Sequence, residues 1–384
     1  MLINHFVHNN FSVDLFDSIY DENCINRWVG FSDYFLEKDY LRLLEKAHPK
    51  DISFRYAIIS NSDGKVCGII YFQLVTITGK NIHLPDNFFL SLFVDTFLFF
   101  RPLKLLMCGN VFAVSFPPFS FDPLLMNSDD ILALIDVIAN LRKVDAIMIK
   151  DVQEDIHGSY LRKINYHNYS KDLTMSLSLP SDWNSMDDYL NSLTKKYRRR
   201  AEKIKFGAEK IERKVLKLEE ILQSKDFIYD LFENVSKKQT ICLGLIDANY
   251  FSEFKKTFPE EFKFVAYYLN SKMIAFSTYI DHGEQLEVHY IGINYEMNKK
   301  YNLYFNILFD ALELAILNRK SELELGRTAR EAKANLGCKP VYFNDYYKLK
   351  SKLANFAFDW LGNKFQRSMG EIWQKRNPFK SKVS

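Results

Sequence analysis

Polar and apolar residues alternate in blocks along this chain, and the blocks come in two rounds. In the first round, Ser53 to Ile59 and Val66 to Val75 are β-rich runs separated by the turn Asn61-Ser-Asp-Gly64. Two such runs joined by a glycine-containing turn predict a hairpin. A helix is predicted before it over Ser32 to Ala47, where Tyr34, Phe35, Tyr40, Leu41, Leu43 and Leu44 keep a helical period. After it come a helix over Asp129 to Arg142 and a short buried strand, Ala146 to Lys150.

The second round repeats this grammar. Phe264 to Leu269, Met273 to Ile280 and Leu286 to Ile293 form a three-strand meander, with turns at Asn270-Ser-Lys and Asp281-His-Gly-Glu. A helix over Tyr301 to Leu317 and a strand over Glu322 to Leu325 follow. Strands that begin as hairpins and alternate with helices predict a mixed α/β (α+β) fold. The grammar divides the chain into domains at 1–172 and 173–347, with a tail, 348–384. The boundary falls where Ser, Asn and Pro accumulate between Ser170 and Asp182.

A length of 384 residues and an apolar content of 47% are enough for more than one core. The net charge of +3 is too small to indicate a nucleic-acid partner without local clustering. The five cysteines, Cys24, Cys67, Cys108, Cys242 and Cys338, are odd in number and widely spaced. That pattern predicts a reducing compartment, no structural zinc and no other metal. The N-terminus lacks a charged segment followed by an apolar one, so no signal peptide is expected. Phe88 to Phe100 is interrupted by Asp95 and falls short of the ~20 residues that span a bilayer. It reads as a buried or interfacial helix.

Four stretches can carry chemistry. The first is Leu323-Glu-Leu-Gly-Arg-Thr-Ala-Arg-Glu-Ala-Lys333, which places Arg327, Thr328 and Lys333 just beyond a strand, with Gly337 close behind. Cations at a sharp turn suit an anionic or acyl-bearing ligand; the plain alternative is a solvated helix start. The second is the basic run Lys195 to Lys205, including Arg198 and Arg199, with Glu202 as its one acid. Its self-repulsion calls for a cofactor phosphate or lipid headgroup opposite; a nucleic-acid arm, with only Tyr197 interleaved, or a solvated face are the alternatives. The third is the strand bearing Glu287 and His289 on one face with Ile291, while Val288 and Tyr290 take the other. Either Glu287 or His289 can serve as a general base for an amine, with Glu324 on the next strand as a second candidate; the plain alternative is a solvent-exposed sheet face. The fourth is Lys299, Lys300, Tyr301 and Asn302, read as an anion site at a helix N-terminus, or as an ordinary helix start capped by Asn298. The tail from Tyr346 mixes basic residues with Phe356, Trp360 and Trp373. It fits an amphipathic helix, either packed across the domains or set on an anionic membrane surface.

The basic helix from Leu193 to Lys203, the meander ending in His289-Tyr-Ile-Gly-Ile-Asn294, and Leu325-Gly-Arg-Thr-Ala-Arg-Glu-Ala-Lys333 with Gly337 resemble the GNAT superfamily. The likeness is to its double-domain Fem-like branch of peptidoglycan-type N-acyltransferases, and it covers roughly Trp183 to Tyr347. The resemblance implies tandem GNAT-like domains, each a mostly antiparallel mixed sheet flanked by helices, with the active site in the second. It implies direct transfer of an acyl group to an amine of a small molecule, lipid or cell-envelope precursor. No cofactor would be tightly bound; acyl-CoA or an acyl carrier protein would be co-substrate. The segment matching the family's pyrophosphate loop, Asn298 to Asn302, contains no glycine, which weighs against acetyl-CoA. An aminoacyl-tRNA donor stands second, because Trp183 to Lys214 is short for the helical arm of tRNA-using relatives. A non-catalytic member binding an anionic surface is the competing class. A cytoplasmic protein, with peripheral contact at the inner face of the membrane, is the corresponding expectation.

Overall fold

The computed structural model describes residues 1–29, 36–47, 51–82, 92, 96–114, 116–152, 158–239, 243, 245–351 and 374–380. The chain divides into two compact units. Unit 1 takes Met1–Asp172, Gln239–Tyr250 and the chain from Tyr342; unit 2 takes Leu173–Lys238, Phe251–Val341 and the last described residues. The expected second domain, 173–347, is therefore not one continuous segment.

Unit 1 contains β1 (Leu2–His8), β2 (Phe11–Phe16), α1 (Glu22–Arg27), α2 (Lys38–Lys46), β3 (Ile52–Ser60), β4 (Val66–Ile77), β5 (Leu103–Cys108), β6 (Phe119–Phe121), α3 (Ser128–Asn140), β7 (Ala146–Val152) and α4 (Gly158–Lys163). Its strands run in the order β1-β2-β3-β4-β5-β7, with β6 on β4; all neighbours are antiparallel except β5 and β7. The predicted hairpin is β3–β4. The apolar stripe of α3, Ile131, Leu132, Leu134, Ile135 and Ile138, covers one sheet face over Ala57, Ile70, Phe72 and Ile147. The other face carries an aromatic layer in which Trp28, Tyr56, Tyr71 and Phe116 meet edge-on or tilted. Residues 32–35 of the first predicted helix, most of the apolar stretch 88–95, and Cys242 lie outside the described residues.

β8 (His167–Ser178) passes from unit 1 into unit 2. Unit 2 continues with α5 (Met186–Ser192), α6 (Lys195–Phe206), β9 (Glu212–Val215), α7 (Leu218–Gln223), α8 (Lys225–Ser236), α9 (Tyr250–Thr257), β10 (Phe262–Leu269), β11 (Lys272–His282), β12 (Gln285–Ile293), α10 (Tyr295–Tyr301), α11 (Leu303–Leu317), β13 (Glu322–Glu324) and α12 (Arg330–Leu336). β14 (Lys339–Leu349) follows and returns the chain to unit 1 at Tyr342; its unit 1 residues, from Asn344, pair antiparallel with β7 of the same unit. The unit 2 sheet runs β9-β10-β11-β12-β13-β8, with β12 and β13 its one parallel pair. The β10–β11 turn is tight because Asn270 and Ser271 both take positive φ, at 49° and 61°, and match the twist of the strands. Both units are mixed α/β with mostly antiparallel sheets flanked by helices.

The core of unit 2 forms where α11 lays Leu308, Ala311, Leu312 and Ala315 across Leu286, Val288 and Leu323. On the opposite face α8 comes so close to β12 that a Cβ on Gly292 would stand 2.1 Å from the Phe276 ring and 2.8 Å from the backbone of Leu231. Among the described residues no helix is long and apolar enough to cross a membrane.

The described part of the tail is not helical. Residues 374–380 are extended: Phe379 bridges to Leu193, and the Pro378 carbonyl accepts from Thr194 N–H at 2.8 Å. Lys380 N–H donates to the Ser192 carbonyl at 2.9 Å, so the extended segment pairs with the junction between α5 and α6. Residues 352–373 and 381–384 of the predicted helix lie outside the described residues.

Candidate active site

β12 and β13 pair only at Gln285↔Glu322, Leu286↔Leu323 and Glu287↔Glu324. Beyond that register β12 runs on to Ile293 beside β11. The chain after Glu324 instead follows β8, with Leu325 N–H on the Met175 carbonyl at 3.0 Å. The sheet therefore opens at Glu287 and Glu324, and both carboxyls stand at the root of the opening.

Strand alternation decides what faces it. Leu286, Val288, Leu323 and Leu325 point to the α11 core, so Glu287 and Glu324 take the other face. Thr174 and Ser176 on β8 alternate in the same way with Leu173, Met175 and Leu177. One face of this part of the sheet is thus apolar and the other is a buried polar array. Buried polar groups cost free energy unless they are hydrogen-bonded, and these are.

Glu287 is 3% exposed and lies between two imidazoles: His282 Nε2 is 3.2 Å from one carboxylate oxygen and His289 Nδ1 is 3.3 Å from the other. A carboxylate only accepts, so each ring nitrogen facing it donates. Burial works to raise the Glu287 pKa, but the hydrogen bonds from His282 and His289, with their charges, prevail and bring it down to about 2. Glu324 behaves oppositely. Its Oε1 accepts from Thr174 Oγ1 and from Gly326 N–H at 2.6 Å. Burial outweighs these bonds and, with the nearby Glu287 charge, pushes Glu324 up to about 7. Two carboxyls at one register are thereby pushed in opposite directions, Glu287 down and Glu324 up.

Lys333 is buried on α12 and donates to the Gly326 carbonyl at 3.1 Å; its charge pulls against the rise of Glu324. Burial pushes the neighbouring Cys338 thiol up to about 12, so it is no nucleophile at neutral pH. Arg327 is half-buried and Thr328 exposed at the turn before α12.

The other expected residues are not gathered here. Arg198 is exposed on α6 and is engaged by Glu202 and Asn191, each at 2.8 Å, while Arg199 is exposed beside it. Through Ala201 and Ile204, α6 packs into the α11 core, on the apolar side of the sheet. Lys299 and Lys300 end one helix, α10, and directly precede the start of the next, α11, whose N-cap is Asn302. Asn294 caps α10 by accepting from Glu296 and Met297 N–H, both at 3.1 Å, so the two lysines fall in its last turn. Tyr301 ends α10, and Asn302, in the left-handed region at φ 51°, separates it from α11. Asn298 then accepts from Tyr304 N–H at 2.9 Å, so its side chain fills a donor at the start of α11.

Strand parity also differs from the simple alternation. Ser277 pairs with Ile291 and Tyr279 with Val288, so His289 and Tyr290 together oppose Thr278 in a β-bulge. The Thr278 hydroxyl fills it, accepting from Tyr290 N–H at 2.9 Å. After the extra residue Ile291 joins Val288 on the α11 side, and Tyr290 packs on Phe232 of α8 with ring centroids 5.4 Å apart. His289 packs on Phe254 of α9 at 5.6 Å. His282 and Thr174 are site residues that the sequence reading missed. Thr174 carried a signal in its alternation with apolar neighbours, whereas His282 looked like part of a turn.

Unit 1 has a second buried carboxyl cluster. Carboxylate oxygens of Asp151, Asp172 and Asp345 lie within 4.8 Å of one another, Lys150 pairs with Asp151, and Asp345 accepts from Asp151 N–H at 2.9 Å. Burial, reinforced by the Asp151 charge, pushes Asp345 up to about 7.

Residues 159–381 match the model of the FemAB-like family, described as peptidoglycan biosynthesis/recognition. The chain belongs to the FemAB-like family. No curated protein sequence matches it. Among solved structures, FemX is 10% identical and aligns over 88% of this chain and 95% of its own, with a TM-score of 0.50. A tandem GNAT protein from the clavulanic acid biosynthesis pathway is 8% identical over 88% and 99%, with a TM-score of 0.54. A conserved protein of unknown function from Bacteroides thetaiotaomicron is 12% identical over 88% and 99%, with a TM-score of 0.50. At these identities the likeness is one of fold, and the fold of this FemAB-like chain is that of tandem GNAT proteins.

Proposed function

We propose that this protein transfers an acyl or aminoacyl group from an activated ester or thioester to an amine of a cell-envelope precursor, directly and at the opening between β12 and β13. The observation that carries the reading is the carboxyl pair Glu287 and Glu324, set side by side and held at about 2 and about 7. In the step, the amine nitrogen bonds to the carbonyl carbon as the carbon–oxygen or carbon–sulfur bond breaks. The amine loses a proton and the leaving group gains one. Glu287 is too weak a base for this; it accepts from His289 Nδ1–H and orients that ring as the candidate base. Glu324, titrating near neutrality, suits the second proton transfer. The high Cys338 pKa fits transfer without a covalent enzyme intermediate.

A donor anchored by a pyrophosphate is the weaker candidate. Backbone N–H groups at the starts of α10 and α11 already have the side chains of Asn294 and Asn298 as acceptors, and those N–H groups are what a pyrophosphate would need. The favoured donors are therefore aminoacyl-tRNA and a carrier-bound acyl thioester. The test is incubation with acyl-CoA, acyl carrier protein thioester or aminoacyl-tRNA together with an amine-bearing peptidoglycan precursor, read by mass spectrometry. Product from one donor class, lost in Glu324→Gln, supports the reading; no product from any class, or undiminished product from the variant, overturns it.

A further inference from the structure

Unit 1 ends in an apolar tip. Phe99 and Phe100 are 78% and 80% exposed and touch edge to face, with ring centroids 5.3 Å apart. They close a helical turn over residues 96–100, where Arg101 N–H bonds to the Phe97 carbonyl at 2.9 Å. Single exposed apolar side chains are ordinary, but two adjacent, almost fully solvated phenylalanine rings form a patch that marks an interaction site.

The surroundings of the tip say what covers it. Arg101 follows at once and reaches Asp145 at 3.4 Å. Asp145 also accepts from Lys104 N–H at 2.9 Å, and its own carbonyl accepts from Lys350 N–H at 2.9 Å. The Lys350 ammonium holds the Ala139 and Arg142 carbonyls at the end of α3, each at 2.6 Å. Exposed Leu141 and Lys143 sit on either side of Arg142. These bonds tie Arg101, Lys104 and Lys350 together after the phenylalanines, and exposed Lys143 lies between Arg142 and Val144 in the same stretch. The acid within this network, Asp145, is already shared between Arg101 and the Lys104 N–H. An apolar tip set among cations matches a surface that is anionic outside and apolar beneath, which is a bilayer carrying anionic headgroups.

We infer that this end of unit 1 docks on an anionic membrane, with Phe99 and Phe100 entering the boundary between headgroups and acyl chains and Arg101, Lys104 and Lys143 facing lipid phosphates. Docking of this kind needs no transmembrane helix and does not depend on transfer activity.

The test is co-flotation of the full-length protein with vesicles of phosphatidylcholine alone, or with about one third phosphatidylglycerol. Binding is expected to the phosphatidylglycerol vesicles and to weaken as salt rises. Phe99→Ser/Phe100→Ser should lower partitioning about tenfold or more. Lys104→Glu/Lys143→Glu should lower it about tenfold or more and flatten the salt dependence. All four side chains lie at the surface, and an unchanged thermal midpoint checks that the variants fold. Equal binding to neutral vesicles, or undiminished binding by both variants, overturns the inference. So does a failure to bind either vesicle, joined to a dimer in sedimentation that Phe99→Ser/Phe100→Ser dissociates, which would assign the tip to a second copy of the chain.

Discussion

Glu324→Gln should stabilise this protein in alkali and leave it unchanged in acid. Glu324 titrates at about 7, against an ordinary value of 4.5. Between those values the folded chain holds a proton that the unfolded chain has released. Stability linked to the group is therefore complete below pH 4.5 and is lost as pH rises through 7. At 1.36 kcal/mol per pH unit, the loss comes to about 3 kcal/mol by pH 8. Glutamine removes the ionisation while its carbonyl oxygen still accepts from Thr174 and Gly326. Urea unfolding at a series of pH values should show the variant gaining on the wild type by about 3 kcal/mol between pH 4.5 and 8. A difference that stays constant across that range would refute the assignment of Glu324 as a buried carboxyl titrating near neutrality, and with it the acid–base pair.

Glu287 gives the opposite sign. Its pKa lies below the ordinary 4.5, at about 2, so its stabilisation is present above pH 4.5 and lost as pH falls through 2; Glu287→Gln should cost about 3 kcal/mol at pH 7 and much less at pH 2 in the same unfolding experiment. Gly337→Ala forces a side chain onto a φ of 105° and places its Cβ 2.3 Å from the Phe379 ring. It should cost roughly 1–3 kcal/mol and expose residues 374–380 to proteolysis; in a Phe379→Ala background the added cost should fall, which a double-mutant cycle reads. Lys333→Met keeps the side-chain volume but removes the charge beside Glu324, and Arg327→Ala removes the cation at the turn. Each should abolish turnover while circular dichroism stays native, and full activity in both would remove these residues from the site.

The parts of the site legible in sequence are those set by strand period and turn chemistry. Asn270 and Ser271 announce the β10–β11 hairpin, and apolar alternation puts Glu287 and Glu324 together on one face. The rest depends on events that leave no mark in composition. The bulge at His289 and Tyr290 adds one residue, and every side chain after it changes face, so Ile291 and Tyr290 exchange the sides that alternation assigns them. His282 meets Glu287 only because the hairpin closes with His282 opposite Gln285. The Asn294 cap starts a helix earlier than the apolar period does, which places Lys299 and Lys300 in its C-terminal turn, just before the start of α11. In the tail, spaced basic and aromatic residues read as a helix, but 374–380 pair as an extended segment with the junction between α5 and α6.

The two faces of the unit 2 sheet make the strongest physical case that the polar array is functional. Leu286, Val288 and Leu323 show that this stretch of sheet can be packed with apolar side chains, because on the α11 side it is. On the other side the same strands bury Thr174, Glu287, Glu324 and the His289 ring, and α12 adds Lys333. Replacing buried ionic groups by well-packed apolar ones is often neutral or stabilising, so stability alone does not account for them. Glu324 sharpens the point, since above pH 7 it is charged at a net cost to the fold. Sites that lower stability persist where the geometry is used, and elements nearby compensate. Here one compensation can be named. Lys333 is carried by a two-turn helix too short to hold its own shape in water. Phe379 packs over Gly337 at the end of that helix, Arg376 pairs with Glu331 near its start, and Tyr189 donates to the Leu336 carbonyl at 3.2 Å. The extended tail segment thus braces the short helix whose Lys333 bonds the Gly326 carbonyl beside Glu324, and through Phe379 it also covers Trp183 and Tyr189 at the edge of the α11 core.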